Sequence, residues 1–166
     1  MKKNFMLGTV TSLGCLGVAG MLSIYKQSEK KYQKVEDDLL KFREFYDVLL
    51  FWLELHQAGG TVADYFKSRN IKTIAIYGMR ELGNALENEL RGSNVVVEYG
   101  IDRDADYIES DISLVHPEDA LEKVDAIVIT ALHYYTEIML FLRKKTDSQI
   151  VSLDDVVYEA LQEIRK

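Results

Sequence analysis

Residues 72–102, KTIAIYGMRELGNALENELRGSNVVVEYGID, limit what this chain can fold into more than any other stretch. Thr73–Tyr77 is an apolar, β-branched run that suits a strand buried on both faces. Gly78-Met79-Arg80-Glu81-Leu82-Gly83 then turns the chain. Leu82, Ala85, Leu86 and Leu90 recur at helical spacing, predicting the inner face of a helix that ends at Arg91-Gly92-Ser93-Asn94. Val95–Tyr99 reads as a second strand, with Gly100-Ile101-Asp102 at its C-terminal end. Strand, glycine turn, helix and strand with a closing acid is the opening half of a nucleotide-binding α/β unit.

Downstream residues extend the same sheet. Residues 104–111 (DADYIESD) read as a loop, Ile112–Val115 as a short strand, and Pro117 as the first turn of a helix running to Lys123. Ala126–Ala131 is predicted as a buried strand, Tyr134–Lys145 as a helix and Gln149–Ser152 as a last strand. Ser152 with Asp155 repeats a capping pattern ahead of a terminal helix to Arg165. This alternation predicts an α/β fold: a Rossmann-like parallel sheet in the order 3-2-1-4-5, with flanking helices and right-handed crossovers over residues 59–166. A ligand would then sit at the C-terminal strand ends, near Gly78.

The glycine turn satisfies only part of the dinucleotide fingerprint. That fingerprint uses one glycine for the turn, one for close approach of pyrophosphate and one for helix–strand packing. Gly78 and Gly83 match the first and third, while Arg80 stands at the second. Asp102, nineteen residues beyond Gly83, matches the acid that binds ribose hydroxyls, and Arg103 follows it. The expected ligand-binding residues are therefore Gly78, Met79, Arg80, Gly83, Asp102 and Arg103. Arg80 either holds a phosphate through its guanidinium or marks a fold kept as a scaffold, and Asp102 is either a ribose acceptor or a strand-end acid paired with Arg103.

Other chemistry is thin. There is no Tyr-x-x-x-Lys pair, no Gly-x-Ser-x-Gly elbow and no Walker loop. His133, just after a predicted strand, is the best general acid/base candidate. Tyr134 and Tyr135 are candidates for stacking on a base or sugar, against the alternative of core packing. Cys15 is the only cysteine and His56, His116 and His133 are scattered, so neither a disulfide nor a zinc site is expected.

Upstream, residues 5–25 (FMLGTVTSLGCLGVAGMLSIY) carry no charge. As a helix they would span about 30 Å, the thickness of a bilayer core. Lys26, Lys30, Lys31 and Lys34 follow, which by the positive-inside rule predicts a single-pass membrane protein with its soluble part cytoplasmic; Lys2 and Lys3 pull the other way. A cleaved signal peptide is the rival reading. Cys15 also invites a lipoprotein reading, although Ser12 replaces the leucine such a signal favours. Gly8, Ser12, Cys15 and Ala19 share one helix face, which would admit a second helix.

Residues 26–58 are predicted to connect the two parts as an amphipathic helix. Tyr32, Val35, Leu39, Phe42, Tyr46, Leu49 and Leu53 alternate steps of three and four, the spacing of a coiled-coil seam. Phe45, Val48, Trp52 and Leu55 form a second stripe. A homodimer through residues 29–57 and an amphipathic helix packed on its own domain are both open. Ala58-Gly59-Gly60 ends the helix, and Thr61 with Asp64 resembles a capping box before a short helix, Val62–Ser68.

Charge excludes one class of partner. The formal net charge is −7, and residues 26–166 hold 18 basic against 27 acidic side chains. Nucleic acid needs clustered Lys/Arg, so it is not expected as a partner.

Residues 73–102 resemble a Rossmann-type nucleotide-binding fold. More narrowly, Tyr32 to Leu161 resembles the Rossmann-like domains of bacterial cell-surface polysaccharide loci, in which a Gly-Met-Gly-x-Leu-Gly turn precedes a Gly-Ile-Asp-Arg strand end and a Ser-Leu-Asp-Asp helix start. The layout is also similar to small nucleotide-sugar- or CoA-binding domains found beside sugar-modifying transferases. The resemblance implies binding or sensing of a nucleotide or nucleotide-sugar, or scaffolding, beside envelope-polysaccharide enzymes, with NAD(P) or a nucleotide-sugar as ligand. The alternative it leaves is an NAD(P)-dependent oxidoreductase or sugar-modifying enzyme.

Overall fold

The computed structural model describes residues 2–165, with side chains at Met21 and from Tyr25 onward. Helix α1 is Lys2–Gln57. The chain forms two compact units, Met1–Phe42 and Arg43–Lys166, so the last turns of α1 belong to the α/β unit.

The expected single-pass membrane location is corrected. Among the described residues no helix is long and apolar enough to cross a membrane. From Lys26 the described part of α1 carries charge in every turn up to Asp47, which leaves no apolar stretch of bilayer length between Lys26 and Asp47. The side chains of residues 5–25 lie outside the described ones apart from Met21 and Tyr25, and with them the small-residue face at positions 8, 12, 15 and 19.

The second unit is α/β. Its five strands are β1 (Thr73–Tyr77), β2 (Val96–Ile101), β3 (Leu114–Val115), β4 (Ala126–Ile129) and β5 (Gln149–Ser152). All neighbours pair in parallel, in the order β3-β2-β1-β4-β5. Four more helices are α2 (Val62–Ser68), α3 (Glu81–Leu90), α4 (Tyr135–Leu142) and α5 (Leu153–Ile164).

The two faces of the sheet are covered differently. One packs Ile74, Ile76, Ala126 and Val128 against the end of α1, α2, α3 and α5, which contribute Trp52, Phe66, Leu86 and Val157 among others. The other packs Ala75, Tyr77, Tyr99, Ile127 and Ile129 against Ile138 and Leu142 of α4 and against Leu121 and Val124. On α3 the inner face is Leu82, Gly83, Leu86 and Leu90, and the expected Ala85 is exposed.

No helix forms at 117–123. His116 N–H does donate to Asp119 Oδ2 (2.9 Å), as at a helix start. The carbonyls that would continue a helix are diverted, however. Lys145 Nζ donates to those of Pro117 (2.5 Å) and Asp119 (2.7 Å), and the Tyr99 hydroxyl to that of Glu122 (2.6 Å). The segment is a turn followed by extended chain.

Glu89 joins three elements of the four-helix face. Its Oε2 accepts the Trp52 indole N–H and lies 3.1 Å from His56 Nε2. Its Oε1 accepts the Val62 N–H (2.6 Å). Thr61 caps α2, with Asp64 Oδ2 accepting its N–H (2.8 Å) and its hydroxyl (2.9 Å). At α5 the cap is Ser152, but its hydroxyl donates to Asp154, not through the expected Asp155.

Candidate functional site

A cleft of about 490 Å³ opens at the C-terminal ends of β1, β2 and β4. The Gly78 turn, the first turn of α3, residues 102–104 after β2 and residues 130–131 after β4 border it, with Phe45 and the start of α4. This is where a parallel α/β sheet presents ligand sites, because strand order reverses at β1 and the flanking loops part.

The turn is held by its neighbours. Gly78 has φ +96°, a conformation that side-chain-bearing residues rarely adopt. Its N–H donates to Ile101 O (2.8 Å), and its carbonyl accepts the Thr130 hydroxyl (2.6 Å). Gly83 is the packing glycine: a Cβ there would lie 2.1 Å from Gly78 O. The two sequence glycines thus carry the turn and the close helix approach.

The remaining expected residues are spent differently. Met79 has its side chain buried in the core, and its N–H donates to Asp102 Oδ2 (2.8 Å). Asp102 Oδ1 accepts the Asp104 N–H (2.9 Å), so both oxygens of this buried carboxylate already hold backbone donors. Arg80 points outward and pairs with Asp104 (2.6 Å), joining the loop after β1 to the loop after β2. Arg103 hydrogen-bonds the Tyr77 phenol, not the neighbouring carboxylate that the sequence offers it. Burial of that phenol raises its pKa, and Arg103 partly offsets the effect.

His133 sits on a 3₁₀ turn, Leu132–Tyr134, with Nδ1 3.3 Å from Glu44 Oε2. It is not among the residues that line the cleft, whereas Tyr134 is. Tyr135 packs against the α4 side of the core.

Sequence reasoning missed Thr130, Asp104, Glu81, Glu137 and Phe45. The position of Thr130 one residue beyond β4 is a signal that could have found it, since strand ends line such clefts. Asp104, two residues beyond Asp102, carries a weaker one.

The charge of the lining bears on the ligand. Arg80 and Arg103 face Glu81, Asp102, Asp104 and Glu137, two cations against four acids. Glu81 already complements the N-terminal dipole of α3. A phosphate would therefore need Arg80 to release Asp104, while sugar hydroxyls would find acceptors ready. Among the described residues no group of three or more His, Cys, Asp or Glu side chains is placed to hold a metal ion.

No family model, no curated protein and no solved structure matches the chain.

Proposed function

We propose that the α/β unit binds or senses a nucleotide or nucleotide-sugar in the cleft beside Gly78. The observation that carries the reading is the position of that cleft, at the C-terminal strand ends next to a positive-φ glycine turn packed on a helix start. The base or sugar lies against Tyr134 and Phe45, hydroxyls meet Asp104 and Glu137, and Arg80 exchanges Asp104 for a phosphate. Resemblance alone supplies the setting, beside enzymes of bacterial envelope-polysaccharide synthesis.

A second reading is a scaffold without ligand. Two observations favour it: both Asp102 oxygens are taken by backbone donors, and the outward Arg80 is paired.

Calorimetric titration of the full chain with UDP, UDP-sugars, NAD(H), NADP(H) and CoA separates the two. The binding reading expects heat with at least one of them, and a loss of affinity on the order of ten-fold in Arg80→Ala. No heat and no melting shift with any of them would leave the scaffold.

A further inference from the structure

The helix that precedes the α/β unit uses two faces. Within residues 43–166, Val48, Trp52 and Leu55 are buried against the domain, while Tyr46, Leu49 and Leu53 remain exposed. Within residues 1–42, Tyr32, Val35, Leu39 and Phe42 are exposed as well. By sequence count these two exposed sets are one heptad series. Tyr32, Leu39, Tyr46 and Leu53 fall at a, and Val35, Phe42 and Leu49 at d. The seven residues are 42–75% exposed. Within residues 43–57 the domain takes the c and g side of the helix and leaves the a and d positions Tyr46, Leu49 and Leu53 uncovered. The next d position is His56, which turns to Glu89.

Flanking charges show what fits the seam. Lys31 and Asp38 are at g, Glu36 and Arg43 at e, and all four are exposed. In a parallel, in-register pair, each g residue faces the following e residue of the other helix. Lys31 then meets Glu36 of the second copy, Asp38 meets Arg43, and Phe45 meets Leu50. Every rung is complementary. In an antiparallel pair g faces g and e faces e. Lys31 with Asp38 would centre the crossing between residues 34 and 35, and Glu36 with Arg43 between 39 and 40, so one register cannot satisfy both.

We infer that the occupant of this seam is a second copy of the chain, in a parallel, in-register two-stranded coiled coil over residues 32–53. That is three heptads and about 33 Å of helix, the length at which such a pattern specifies a coiled coil. The pairing places two α/β units at the same end of the coil and is independent of any ligand in the cleft.

Two measurements on the full chain, purified in mild detergent with Cys15→Ser as background, test it. Leu39→Cys, at a seam position, forms an interchain disulfide on oxidation. Lys30→Cys, on the outer face, does not. Separately, two charge-reversed chains are made: Lys31→Glu with Asp38→Arg, and Glu36→Lys with Arg43→Glu. Each alone shows a dimer dissociation constant raised on the order of ten-fold or more, and mixing them forms heterodimers at wild-type affinity. These are exposed positions, and an unchanged melting temperature at high concentration of the mixture confirms folding. A monomer at every concentration, a trimer, equal crosslinking at positions 30 and 39, or reversed chains that do not pair on mixing would each overturn the proposal.

Discussion

Asp102, at the end of β2, accepts the backbone N–H of Met79, the residue after the turn glycine, at 2.8 Å. The position that sequence spacing marks as a ribose acceptor is thus also the brace of the glycine turn. Its other oxygen holds the Asp104 N–H, and Asp104 in turn holds Arg80. Turn, carboxylate and guanidinium form one connected border to the cleft.

Asp102→Ala should therefore lower stability without any ligand present. It strips acceptors from two backbone donors, one of them buried, a loss of about 1–3 kcal/mol. Urea denaturation of the ligand-free chain measures it. An unchanged midpoint would mean that the carboxylate contributes only to a ligand.

Gly83→Ala should destabilise more than Gly78→Ala. At Gly83 the new methyl meets a backbone carbonyl at 2.1 Å, which no rotamer relieves, and the helix must move; about 2–4 kcal/mol is expected. At Gly78 the strain is the positive φ and the nearest atom is a Thr130 hydroxyl at 2.7 Å, for about 1–3 kcal/mol. Denaturation midpoints of the two variants give the ranking.

Glu89→Ala removes the common acceptor of Trp52 and Val62 and the neighbour of His56. A loss of about 2–4 kcal/mol is expected, and less for Glu89→Gln, which keeps one acceptor. Trp52 is the only tryptophan, so its emission reports the site directly. It should shift to the red in the alanine variant before global unfolding.

Acid sensitivity should centre in part on Asp125. Its carboxylate accepts the N–H groups of Lys72 (2.8 Å) and Thr73 (3.0 Å), which together hold its pKa below the ordinary 3.8. A lowered folded value means that the stabilisation is complete above 3.8 and is lost as the pH falls through the folded value. Melting temperature between pH 7 and pH 2.5 should drop more steeply below 3.8 in the native chain than in Asp125→Asn.

Much of the fold was legible because periodicity and turn chemistry act locally. The run at 73–77, the apolar spacing of α3 and the capping residues around Thr61 each dictate their element from neighbours in sequence, and the strand order followed from alternation. The 117–123 helix was misread because its start signals are real. What cancels them is Lys145 and Tyr99, distant in sequence, taking the carbonyls. At the site, Gly78 and Gly83 were legible because only a missing side chain fits there. That Asp102 would face Met79, and Arg80 face Asp104, depends on how two loops meet across the sheet edge, which spacing does not encode. The membrane expectation rested on residues 5–25 and the lysines that follow them, and among the described residues no helix offers such a span.

Where a crossover helix would ordinarily lie between β3 and β4, one lysine ammonium and one tyrosine hydroxyl hold three carbonyls of a turn and the extended chain after it. Side-chain tethers of that kind can let go one at a time, whereas a packed helix leaves as a block. The expected order of opening follows: residues 116–120, ahead of the packed Leu121 and buried Val124, open before the four-helix face. Limited proteolysis should find its first cut in residues 116–120, and Lys145→Met should hasten it with little effect on the melting of the rest.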